Sequence, residues 1–274
     1  MTQVLLTGLA IGESPRWHDG RLWFANWGTG EILAVDLDGK SEVMARVAAE
    51  SVPLSIDWGP DGALLVVAGG KLLRQDADGS LVTVADLRGI AELVNEIVVD
   101  PRGFVYLNGG WFDFSRPGVI VVVTPAGEVR KVADGIEFAN GMAVTPDSST
   151  LIVAESFGCR LTAFDLAPDG GLVNRRSWAE LGDGHPDGIC LDAEGLVWYA
   201  DVPNRRCVRV REGGEVVQTV DLDRGAFACM LGGADGTTLF MLAAEWNGFE
   251  NMSSEDRTGR LLTTQAPAPH AGRP

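Results

Sequence analysis

The chain has 274 residues, 46% hydrophobic and 22% charged, an ordinary globular composition that excludes intrinsic disorder. Its 22 Lys and Arg against 38 Asp and Glu leave a net charge of −16, which excludes nucleic acid and anionic membrane surfaces as partners. The densest basic spots, Arg175-Arg176 and Arg205-Arg206, are simple pairs.

From the N-terminus, MTQVLLTGLAIGESP has neither a basic n-region nor a long apolar core, so the expected location is cytoplasmic. No apolar run reaches the length of a membrane-spanning helix. A pattern then recurs: an apolar run, a small polar turn, and a second apolar run. Its copies are SPRWHDGRLWFAN, IDWGPDGALLVVA, IVVDPRGFVYLNG, MAVTPDSSTLIVA, ICLDAEGLVWYAD and MLGGADGTTLFML. Their turns centre on Gly20, Gly62, Gly103, Ser148, Gly195 and Gly236, at intervals of 42, 41, 45, 47 and 41 residues. Each copy reads as a β-hairpin, and the runs that follow it, such as EILAVDLDG and RLTAFDLAPDG, add about two more strands. Four short strands per repeat, with a period in the forties, predict an all-β, six-bladed β-propeller of antiparallel blades. One domain over residues 1–264 is expected, its ring closed by residues 2–7 as the outer strand of the last blade. The tail 265–274, rich in Ala and Pro, is expected to be disordered. The four cysteines, Cys159, Cys190, Cys207 and Cys229, have no zinc spacing and read as reduced thiols.

The inner strand of each blade begins near the axis, so a fixed offset from the turn selects residues at the channel mouth. Eight residues before the turn lie Asn95, Asn140 and Asp187 in blades three, four and five. The same count gives Ala228 in the last blade, Leu54 in the second, and Gly12 beside Glu13 in the first. Two carboxylates and two amides form a hard oxygen donor set, suited to Ca²⁺ first and to Mg²⁺ or Mn²⁺ next, with Zn²⁺ and Fe²⁺ as lesser options. The competing reading is that these Asn and Asp side chains only brace turns.

The motifs GESPRW (Gly12–Trp17), NEIVVDPRG (Asn95–Gly103), ANGMAVTPD (Ala139–Asp147) and PDGICLDAEG (Pro186–Gly195), in this order and spacing, give the chain a family resemblance. It resembles the senescence-marker-protein-30/gluconolactonase, or regucalcin-like, group over roughly residues 8 to 264. The resemblance implies a six-bladed, metal-dependent lactonase acting on a small-molecule lactone. It implies Glu13, Asn140 and Asp187 as metal ligands, with Asn95 touching metal or substrate. Leu93 stands where sugar-lactone hydrolases of the group often carry Arg, and Trp111 and Phe112 lie in an aromatic loop nearby. These residues point to a substrate more apolar than gluconolactone.

Asp187 is the candidate general base; alternatively it positions the metal, and water activated by the metal attacks. His185 is a candidate substrate contact and Glu245-Trp246 a candidate pocket rim. His18 reads as a solvated turn residue, and Glu155 and Asp201 as turn caps. No Ser lies in a GxSxG elbow, which argues against a serine esterase. The rival functions are a phosphotriesterase-like or other ester hydrolase on the same metal site, and a calcium-binding scaffold without turnover. A monomer or weak homo-oligomer is expected.

Overall fold

In the computed structural model, residues 2–48, 51–111, 113, 116–248 and 257–272 are described. They form six four-stranded antiparallel sheets arranged as the blades of a propeller. Blade one runs from Gly12 to Arg46, blade two from Ser55 to Asp86, and blade three from Leu93 to Ile136. Blade four spans Ala139 to Glu180 and blade five Pro186 to Asp221. Blade six combines Gly225–Gly232, Thr238–Ala244 and Gly259–Gln265 with the N-terminal strand Gln3–Leu9 as its outermost member. The N-terminal strand pairs antiparallel with Gly259–Gln265, so the two ends of the chain share one sheet and the ring closes on backbone hydrogen bonds.

All six predicted reversals adopt the left-handed backbone. Ser148 does so with φ 57°, where a Gly would carry no steric cost. Side chains alternating along the second strands then pack each blade against the next, burying large side chains such as Phe24, Tyr106, Trp198 and Phe240. Cys190, Cys207 and Cys229 are buried free thiols in one core cluster, and Cys159 is partly exposed.

The tail departs from expectation. Gln265 ends a strand, Ala266 and Ala268 are buried, and His270 forms a β-bridge with Asp192. Backbone bonds from Ala193 to Pro269 O, from His270 to Gly236 O and from Ala271 to Leu191 O fasten the segment across blades five and six. Alanines rather than polar residues fill this seam, which is why the composition misread it. Among the described residues no helix is long and apolar enough to cross a membrane.

Candidate active site

Blades three, four and five break their inner ladder at the same place. Regular pairing stops between Val94 and Ile97, between Ala139 and Met142, and between Pro186 and Ile189. Each gap is a β-bulge, and its first residue is Asn95, Asn140 or Asp187. A bulge kinks the strand and turns a side chain away from the alternation of the sheet. These three residues therefore leave the blade interiors and line one cavity, of about 320 Å³, at the mouth of the channel.

The second bulge residue explains the glycines of the motifs. A Cβ on Gly141 would sit 2.5 Å from the carbonyl oxygen of Asp187, and one on Gly188 2.6 Å from the Cβ of Ala228. Neighbouring inner strands thus approach backbone to backbone around the axis. Blade three carries Glu96 in this place. Its side chain accepts from Ser14 Oγ at 2.8 Å and pairs with Arg16 at 3.3 Å. Arg16 also lies 3.7 Å from Asp57, giving a buried ionic group that joins blades one, two and three beside the cavity. The repeat did not reveal this group, because its members do not recur from blade to blade.

Glu13 arrives by a different route. Blade one reverses in the two-residue turn Asp19-Gly20, both with positive φ, whereas blade three needs residues 100–104. The shorter turn moves the count, and the residues that match Asn95-Glu96 in the ladder are Ser14-Pro15. Glu13 is the last paired residue before that bulge, opposite Ala25, and its carboxylate still lines the cavity. In blade six pairing breaks between Ala226 and Ala228, so Phe227 takes the bulge position that the offset assigned to Ala228.

The polar groups are held from behind. Asn95 Nδ2 donates to Asn140 Oδ1 at 3.2 Å, and Asn140 Nδ2 donates to Ser156 Oγ at 3.3 Å. Ser156 Oγ in turn donates to Pro186 O at 2.7 Å, which ties blade four to the residue before Asp187. His185 lines the same cavity. Its Nδ1 is 3.0 Å from Ser156 O, an acceptor only, which fixes the proton on Nδ1 and leaves Nε2 as the acceptor. Phe138 stacks on Phe157 at 4.6 Å, and Phe227 meets Trp246 edge-on at 5.7 Å; with Trp27 they make the remaining wall apolar. Trp246 is the rim residue expected from the sequence. The other aromatics were not selected, since they sit beside the repeat positions rather than on them.

Burial and mutual repulsion dominate the electrostatics. Burial pushes the Glu13 carboxyl well above its ordinary value, and Asp187 and Glu96 push it further. Asp187 is raised in the same way, by burial and then by Glu96. Its Oδ1 is buried without a hydrogen-bond partner. Among the described residues no three His, Cys, Asp or Glu side chains gather as a metal site. The cluster is two carboxylates completed by amides, a donor set of oxygen alone.

The other expected positions divide. Leu93 and Trp111 line an adjoining cavity rather than the axial one. Phe112 lies outside the described residues. His18 is stacked on Trp58 at 4.0 Å and edge-on to Trp23, so it is a packed ring and not a solvated turn residue. Asp201 does cap its turn, accepting from Asn204 and Arg206.

The family model described as "SMP-30/Gluconolactonase/LRE-like region" matches residues 11–245. The chain belongs to this family. Regucalcin of Xenopus laevis is 28% identical over 258 residues, covering 85% of this chain and 83% of its own. A gluconolactonase of Xanthomonas campestris superposes with a TM-score of 0.78 at 21% identity, over 97% of this chain and 89% of the other. A regucalcin of Agrobacterium tumefaciens, described as a calcium-binding protein, superposes at 0.80 with 22% identity, over 100% and 95%. At such identities the two structures speak for the fold, and the family match spans all four bulged or paired site residues.

Proposed function

We propose that the protein is a divalent-cation-dependent lactonase that opens cyclic esters in the axial cavity, with Ca²⁺ as its ion. The observation that carries this reading is Asp187 Oδ1, an unpartnered buried carboxylate oxygen facing a second buried carboxylate, Glu13. Two such groups with no cation beside them are costly unless an ion or protons compensate them. The all-oxygen set fits a hard cation and lacks the nitrogen and sulfur donors that softer metals prefer. Glu13, Asn140 and Asp187 would hold the ion, and Asn95 would complete the set or meet the substrate. The names of the relatives, a gluconolactonase and a calcium-binding regucalcin, support the same reading.

Bound there, a divalent cation polarises an ester carbonyl and lowers the pKa of water. The chain supplies the rest. The Asp187 carboxylate oxygen left free by the ion would accept the proton of the attacking water and return it to the ring oxygen as the ester bond breaks, leaving a hydroxy acid. The Asn95–Asn140–Ser156 chain of hydrogen bonds keeps both amides from rotating. His185 Nε2 offers an acceptor to a substrate hydroxyl. Phe138, Phe157, Phe227 and Trp246 exclude bulk water, which strengthens every charge interaction inside.

A panel of lactones, assayed after chelation and after return of Ca²⁺, Mg²⁺, Mn²⁺, Zn²⁺ or Fe²⁺ in turn, tests the proposal. Turnover that chelation abolishes and one ion restores is the expected result. Turnover indifferent to chelation, or none with any ion, would contradict it.

A further inference from the structure

We infer that the preferred substrate is a lactone bearing an extended apolar arm, and that the arm lies in a second cavity beside the axial one. This rests on the lactonase reading for the ring and adds where the remainder of the molecule goes. The second cavity, of about 270 Å³, adjoins the first: Asn95, Phe138 and Phe157 line both. Its walls are otherwise Leu93, Ala139, Trp111 and Pro117, over a floor of glycines.

The floor is built by close packing and not by chance composition. A Cβ on Gly109 would lie 2.1 Å from the carbonyl oxygen of Leu93, and one on Gly118 2.6 Å from that of Gly109. These two glycines let three strand ends of blade three converge, and the space above them is left open. Gly110 differs, because among the described residues a Cβ there meets only Gly118 Cα, at 3.7 Å. A side chain at 110 therefore has room, and the room it would take is the cavity.

Two charged side chains also line the cavity. The Arg116 guanidinium lies over the Trp111 ring at 3.7 Å, and Glu137, 3.9 Å from Arg160, is half-exposed. Beyond those two, the described lining offers one polar side chain, Asn95, at the junction. Hydroxyls of a sugar lactone placed here would give up water for few partners. An alkyl or aryl arm would gain by burial against Leu93, Ala139 and Trp111. The axial cavity lies near the lower end of the size usual for small-molecule sites and the second just below it, so a bare lactone ring would occupy the first and leave the second to water.

The test is a series of γ-alkyl-γ-butyrolactones, from methyl to octyl, on the full-length protein with Ca²⁺. Affinity is read by calorimetry and turnover by kcat/KM. Both are expected to rise about fourfold per methylene, then level off once the arm fills the second cavity. In Gly110→Leu the octyl-to-methyl ratio is expected to fall about tenfold, and Leu93→Ala should lower the same ratio if the first variant folds poorly. A flat or falling series in the wild type, or a preference for polyhydroxylated lactones, would overturn the inference. Turnover without length dependence sinks the arm while sparing the lactonase. Affinity that rises with length in the absence of turnover upholds the arm and sinks the chemistry.

Discussion

Blades five and six meet at the axis, and their inner strands differ in one instructive way. Both bulge at the channel mouth, blade five at Asp187-Gly188 and blade six at Phe227. In the first the released side chain is a carboxylate with an unpartnered oxygen; in the second it is an aromatic ring packed edge-on to Trp246. The bulge fixes where a side chain goes, and the residue type fixes what it does there. One half of the mouth thereby carries charge, while the other is apolar.

The sharpest way to break this comparison is to erase each side in turn. Asp187→Ala is expected to lower kcat/KM by about 10²–10⁴-fold, with no loss of thermal stability in the chelator-treated protein because a repelled buried acid has been removed. Phe227→Ala should act mainly on KM and leave kcat within about tenfold, since it opens a wall without touching the reacting atoms. Steady-state kinetics and melting curves on the two variants check both. If Asp187→Ala changed KM alone, the assignment of the two sides would be wrong.

A smaller effect probes the contact between the blades. Gly188→Ala places a Cβ 2.6 Å from that of Ala228 and should cost about 1–3 kcal/mol in denaturant unfolding. Adding Ala228→Gly should recover part of that loss, because backbone atoms of the same residue still crowd the site. Equal stability of single and double variants would mean that the strands separate freely here.

The smallest effect contrasts Asp187 with a carboxylate that has its cations. Burial alone would raise Glu155, but hydrogen bonds from Arg160, Thr162 and the Glu137 N–H outweigh it and hold the carboxyl below its ordinary value near 4.5. A depressed folded-state pKa contributes stability that is present above the unfolded value and lost as pH falls through the folded one. Wild-type stability should therefore decline as pH drops below about 4.5, and Glu155→Gln should flatten that part of the profile. Parallel profiles for the two proteins would show that Glu155 is not a source of the acid sensitivity.

The ring was legible because each blade repeats one backbone solution, a reversal in the left-handed region every 41 to 47 residues. Even Ser148, without the freedom of glycine, keeps that conformation. Asn95, Asn140 and Asp187 were legible for the same reason, as their bulges fall at one distance from equivalent turns. The count slipped where the local backbone changes. Blade one turns in two residues, and blade six bulges one position earlier, which hid Phe227 behind Ala228. Groups that join unlike blades left no periodic trace; Arg16, Asp57 and Glu96 are an example. The tail was misjudged because small residues suit a seam as well as a loose end.

If the four axial oxygen donors form one divalent-cation site, the protein takes up one ion there. Calorimetric titration of Ca²⁺ into chelator-treated wild type and into Asp187→Asn tests it most directly. One site per chain is expected in the wild type, lost in the variant although it folds. Absence of binding in the wild type, or unchanged binding in Asp187→Asn, would contradict it.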